Sequence, residues 1–423
     1  MIKNKRLIEV GMLGEIIFFI FIIGLVRDYN KWVCLTVILL VFLWPINLWG
    51  RTFPNFLGPL VCFLFPFKAR LVGIKEKFPL KIPMVLLSVA YLLSNYYSTE
   101  RHNGTMVTYI LNNCILIWVF FYVFLKDKER LFPFFMKTCV VLGAIVGFYS
   151  VFETLTNSNP IMKMLINNNW VLVDNLITGT RYGVKRSQGI FTMHGTNGAF
   201  AIELLFVLYG GLIAGYIKKT FMNYLIIFSL LFTVFVSGTR SAILALIICS
   251  FMLVNRRMLD FRRFFWGGGV ILVFYVGFQE YFNMIINSFV DTESIGGSNT
   301  SMREGQLEIA IMYFLKSPIY GNGIQYCGNN VMGVYQEMYG AESLWFPAMI
   351  DTGLLGVIGY ALFFFYSIKY CIKNGSMNIS FFVLGFFVLN TMSSIPGLTI
   401  TWIFPFLLVL MEIGRKADRR IVG

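Results

Sequence analysis

Three arginines in this 423-residue chain stand where a guanidinium could hold an anion. Arg240 lies in Ser-Gly-Thr-Arg-Ser (237–241), where an apolar run begins. Arg303 is the second residue of a helix whose start is signalled by Ser301 and Glu304, a capping-box pair, and it falls on the side of Leu307. Arg186 closes Arg181-Tyr182-Gly183-Val184-Lys185-Arg186, a basic patch followed by SQGIFTMHGTNG, which reads as a Gly-rich turn beside a membrane. A guanidinium next to the free N–H groups of a helix start makes a site for phosphate. The plainer alternatives are snorkelling or a Glu-paired arginine, and for the Arg186 patch a generic surface cluster. Glu342, just before the apolar run of SLWFPAMIDTGLLG, could act as a general base or simply favour a helix start. Asp351 lies inside that run and needs a partner; it could equally be structural. His194 is one of two histidines in the chain, so it carries little weight and a His-rich metal site is excluded.

The elements that must position these residues are membrane spans. Hydrophobic residues make up 57% of the chain and charged residues 13%, against about 25% charged in soluble proteins. Apolar blocks of span length recur at roughly 10–26, 32–49, 82–98, 105–125, 131–155, 195–217, 220–236, 241–255, 264–283, 344–368, 379–393 and 398–413. The fold class is therefore an all-α polytopic membrane protein with about 12 transmembrane helices, a single integral membrane domain over 1–423. Segment 53–67 is apolar but holds Pro54, Pro59 and Pro66, and reads as an interfacial or re-entrant piece that must pack against protein. The first span follows Lys3, Lys5 and Arg6 with no small-residue cleavage site, so it reads as uncleaved.

The formal charge of +14 would suggest a polyanion partner in a soluble protein. With the N-terminus inside, most Lys and Arg residues fall in cytoplasmic connectors, including Lys68, Lys126, Lys128, Arg130, Lys218, Lys219, Lys369, Lys373, Arg415 and Lys416. Arg27, Lys31 and the three arginines above fall outside. The charge thus reports insertion rather than nucleic-acid binding, and both termini are expected in the cytoplasm. Two extracytoplasmic segments are long, 156–194 and 284–343, and loops of that length are usually functional. The larger lies between spans 9 and 10 and contains the Arg303 helix. Its stripe of Leu307, Ala310, Ile311, Phe314 and Leu315 should lie on the membrane or on the bundle. The seven cysteines show no metal-type or disulfide spacing.

These residues also resemble a known family. SGTRSAILAL is similar to the Ser-x-Ser/Thr-Arg-Ser/Gly start of a span in the O-antigen ligase/polymerase superfamily. RSQGIFTMHGTN resembles its Arg-x-x-Gly-x-Phe stretch, with a different spacing around His194. SMREGQLEIAIMYFLKSPIYGNGI resembles its arginine, helix and Pro-x-x-Gly-x-Gly pattern. ESLWFPAMIDTGLLG resembles its His-Asn-x-Tyr-Leu…Glu-x-Gly-Leu-x-Gly segment. The matches run in family order over about 180–365. Counting back from Gly353, Glu342 stands where the ligases have histidine, which favours a polymerase of O-antigen or capsular repeat units.

The resemblance implies a bacterial plasma-membrane glycosyltransferase. Its donor and acceptor would be undecaprenyl-diphosphate-linked glycans on the outer face, in contact with membrane lipid. Arg186, Arg240 and Arg303 would hold the diphosphate and stabilise it as it leaves, with no metal and no cofactor. Glu342 would serve the acceptor hydroxyl. A chain-length regulator would suit a basic outer face, although no motif specifies one. The same fold serves a ligase that moves glycan to lipid A core. A flippase or transporter would require charges paired deep in the bundle and paired broken helices, whereas Glu153, Glu203 and Glu280 stand near span ends.

Overall fold

The computed structural model describes residues 2–43, 46–48, 51–68, 76–167, 180–181, 184–191, 193–253, 279–280, 283, 286–287, 300–338, 342–393 and 399–422. Most of the expected span 264–283, the arginine pairs 256–257 and 262–263, and most of segment 284–299 lie outside the described residues, as do 168–179.

The described chain is helical, with only two short antiparallel strand pairs, 47–48 with 51–52 and 180–181 with 184–185. Four helices are long and apolar enough to cross a bilayer: Asn103–Lys126, Lys128–Thr156, His194–Ile213 and Trp345–Lys373. Shorter apolar helices include Tyr29–Leu40, Phe221–Val236, Arg240–Leu253 and Met377–Met392. The chain is a multi-pass membrane protein. Its helices pack as neighbours: Lys128–Thr156 on Phe221–Val236, Lys81–Tyr97 on Trp345–Lys373, and Arg240–Ser250 on Ser380–Met392. Small residues set the close approaches. A Cβ on Gly147 would meet Ser229, and one on Gly385 would meet Cys249, as expected where helices associate through backbone proximity.

The two ends of the bundle differ in charge. At one end Lys128 donates to Glu412 at 3.0 Å, Arg415 to Asn374 at 3.2 Å, and Lys416 sits 3.6 Å from the Tyr216 ring. The connectors bearing Lys126, Lys218, Lys219 and Lys373 gather there. At the other end lie residues 153–159, 184–191, 237–241, 317–327, 342–345 and 390–393.

One placement departs from the sequence reading. Arg27 to Lys31 were expected across the membrane from Lys126 to Arg130, but Arg130 forms an ion pair with Asp28, and Asn30 donates to Asp127 at 3.4 Å. The reason is segment 54–68. It is a 15-residue helix, about 22 Å long and short of the roughly 30 Å hydrocarbon core. It starts near mid-depth, where Asn112 donates to the Pro54 carbonyl at 3.1 Å, and ends where Lys68 donates to the Val26 carbonyl at 3.4 Å. Helix Tyr29–Leu43 enters and this helix returns to the same end, the re-entrant arrangement that its prolines suggest.

Candidate functional site

Arg186 is placed by a buried carboxylate. Glu153, 1% exposed at the end of helix Lys128–Thr156, accepts from the Ser187 hydroxyl and the Gly189 N–H, each at 2.7 Å, and from the Asn159 amide at 3.1 Å. Lys185 adds its ammonium at 3.8 Å. Burying a carboxylate is costly unless it is paired and hydrogen-bonded, and here the donors of the turn supply the compensation. The turn needs Gly189 at φ +60°. Its Ser187 N–H donates 2.8 Å to the Val236 carbonyl, and Val184 packs on Ile243, so the Arg186 segment is laid across the Ser-Gly-Thr-Arg-Ser turn. The expected Gly-rich turn is only partly a turn: His194, Gly195 and Gly198 belong to helix His194–Ile213. Gly198 lets that helix approach the 237–241 turn, since a Cβ there would stand 2.7 Å from the Ser237 hydroxyl.

Arg240 is the first residue of helix Arg240–Ser250, half-buried, after Gly238 at φ +59°. Its neighbour Ser241 shares a hydrogen bond of 2.8 Å with the Ser393 hydroxyl. Residues 390–393 then reach the other two motifs. The Asn390 carbonyl accepts the Leu344 N–H at 2.9 Å, the Thr391 hydroxyl accepts from the Trp345 indole at 3.0 Å, and the Met392 carbonyl accepts from Arg303 at 3.3 Å. The sequence reading missed this segment. Its signal was the polar run Asn-Thr-Met-Ser-Ser closing an apolar block.

Arg303 is the fourth residue of helix Thr300–Lys316, which already includes Ser301, the expected N-cap. Its Nε and Nη2 donate to Glu342 Oε2 at 3.1 and 2.8 Å. The expected diphosphate ligand and the expected base are therefore one ion pair, the Glu-paired alternative for Arg303. The guanidinium is 33% and the carboxylate 23% exposed, so both remain open to a ligand. A guanidinium has five N–H donors; those on Nη1 are not used in the pair.

The stripe on this helix divides differently from the expectation. Gln306, Ala310 and Tyr313 are buried, whereas Leu307, Ile311 and Leu315 are exposed and do not pack on the bundle. Tertiary contact with 326–338 captured the neighbouring face.

The two glycine-bearing motifs interlock. Helix Trp345–Lys373 breaks at Gly353, φ +62° and ψ −155°. Into the break fits 318–323: Asn322 N–H donates to Ile350, Gly323 N–H to Asp351, and in return Leu354 N–H donates to Pro318 and Leu355 N–H to Ile319, all between 2.8 and 3.2 Å. Asp351 has the partner it needs, accepting the Cys327 N–H at 2.7 Å. Burial and this carboxylate together push the Cys327 thiol up, so it stays protonated. Among the described residues no group of His, Cys, Asp and Glu is arranged to hold a metal.

The described chain is a polytopic helical bundle, and Arg186, Arg240, Arg303 and Glu342 lie toward its less basic end. Residues 225–361 match the family described as O-Antigen ligase, a stretch that holds Arg240, Arg303 and Glu342 and leaves Arg186 outside. Over this stretch the chain is similar to the O-antigen ligase/polymerase superfamily, which supports the motif resemblance. No curated protein matches the chain.

Proposed function

We propose that the chain is a glycosyltransferase that polymerises undecaprenyl-diphosphate-linked oligosaccharide repeat units into O-antigen or capsular polysaccharide, working on the outer face of the plasma membrane. The observation that carries this reading is the Arg303–Glu342 pair, exposed at the end of the bundle opposite the lysine-rich connectors and within the family-matching stretch. The positive-inside rule puts the lysine-rich end in the cytoplasm, and so the pair outside.

In this scheme the free Nη1 edge of Arg303, with Arg240 and Arg186, binds the donor diphosphate. The acceptor hydroxyl of a second lipid-linked unit attacks the anomeric carbon. The glycosyl C–O bond to phosphate breaks, its electron pair goes to the leaving diphosphate, and Glu342 takes the hydroxyl proton. The diphosphate gains negative charge as it leaves, and fixed guanidinium groups in a partly desolvated site stabilise it. Contact with the phosphate draws Arg303 charge away from Glu342, freeing the carboxylate as base when donor is present. A chain-length regulator would dock at this end.

The second reading is a ligase, favoured by the description of the matching family; glutamate at 342 in place of histidine favours polymerisation. The product decides. Deleting a polymerase leaves single repeat units on the final acceptor, whereas deleting a ligase leaves the acceptor bare.

A further inference from the structure

We infer that Gln306 is a positioning residue that holds Glu342 against Arg303; the inference rests on the roles proposed for that pair. Gln306 lies one turn beyond Arg303 on the same helix and is fully buried, on the face it shares with Ala310 and Tyr313. Both ends of its amide are used. Oε1 accepts the Glu342 backbone N–H at 3.1 Å, and Nε2 donates to the Glu337 carbonyl at 2.7 Å. One side chain therefore ties both flanks of the segment that carries Glu342 to the helix that carries Arg303.

The consequence is a common reference frame. Arg303 and Gln306 are three residues apart on one helix, so their separation is fixed by helix geometry. Glu342 is fixed twice to that helix, through its main chain to Gln306 and through its carboxylate to Arg303. A loop residue gains the placement of a helical one, and catalytic geometry depends on such support.

Glutamine suits the position chemically. It offers one acceptor and a donor in a single plane and stays neutral at every working pH. A buried carboxylate or ammonium there would act on the Glu342 charge directly. An amide buried only for packing would need partners as well, but it would have no reason to take one of them from the backbone of Glu342 itself.

The test compares wild type with Gln306→Leu and Gln306→Glu, as full-length protein in detergent with lipid-linked repeat units. Two quantities are read: kcat and donor KM, and the rate at which a water-soluble carbodiimide labels Glu342, mapped by mass spectrometry. Gln306→Leu is expected to lower kcat about 30-fold, in line with the cost of misplacing a reacting group by about 1 Å. Donor KM should stay within about twofold, and Glu342 should label several-fold faster. Unchanged kcat and unchanged labelling would overturn the inference, as would a rise in KM with kcat intact.

Should Gln306→Leu aggregate, Gln306→Glu decides. Its protonated form can donate to the Glu337 carbonyl and accept from the Glu342 N–H; its ionised form cannot donate. Activity relative to wild type should therefore rise as pH falls from about 8 to about 5.5, and a flat ratio would contradict the clamp. If wild type turns over no lipid-linked glycan, the proposed function fails, and the labelling comparison still decides the clamp.

Discussion

Arg303 and Glu342, 39 positions apart in the chain, share one carboxylate oxygen through two hydrogen bonds of 3.1 and 2.8 Å. A side-on pair of this kind, made through Nε and Nη2, leaves Nη1 for another anion. Both partners are partly exposed, and pairs of that sort contribute about 0–1 kcal/mol to stability. Arg303→Ala and Glu342→Gln are therefore expected to keep near-normal protein levels and melting behaviour. Each should slow glycan transfer by about 100-fold or more. Arg303→Lys should restore little, because an ammonium cannot face a carboxylate and a phosphate along two edges of one plane. Parallel measurement of melting midpoint and initial rate checks this; a large drop in stability with rate intact would identify the pair as structural.

Glu153 makes the opposite prediction. It is buried and its oxygens accept from Ser187, Gly189 and Asn159. Glu153→Ala leaves those donors unsatisfied and Lys185 without its counter-charge, at a cost of about 3 kcal/mol. Thermal unfolding in detergent should fall by several degrees, and activity should fall with it because Arg186 loses its turn. An unchanged midpoint would contradict this role.

Gly353→Ala should be more damaging than a methyl group suggests. The φ of +62° with ψ −155° is open essentially to glycine alone, and an added Cβ would lie 2.6 Å from the Gly321 nitrogen. We expect a loss above about 3 kcal/mol and release of 318–323 from the helix break, seen as faster amide exchange at Asn322 and Gly323. Exchange at the wild-type rate would contradict the interlock.

Much of this was legible in the sequence. Apolar block length marked the helices, Ser301 and Glu304 fell within a turn of the start of the Arg303 helix, and segment 53–67 is a helix of only 15 residues. Residue types also singled out Arg303 and Glu342. Their pairing was one reading among several, because nothing local brings residue 303 to residue 342. The side of Arg27–Lys31 was misjudged for a related reason: hydropathy counts helices but does not show where a short pair turns back. Of the two places open to the stripe, membrane or bundle, Leu307, Ile311 and Leu315 stay exposed, while Gln306, Ala310 and Tyr313 are buried toward 326–338. Ser393 and Asp351 act through partners more than 20 positions away, and periodicity carries no such information.

The central claim is that Arg240, Arg303 and Glu342 form one site for extending lipid-diphosphate-linked glycan. The direct measurement is the product length distribution on a gel, from a strain lacking the chain and complemented with wild type, Arg240→Ala, Arg303→Ala or Glu342→Gln at matched protein levels. The account predicts a ladder of long chains for wild type and single repeat units for each variant. Wild-type ladders from all three variants would contradict it.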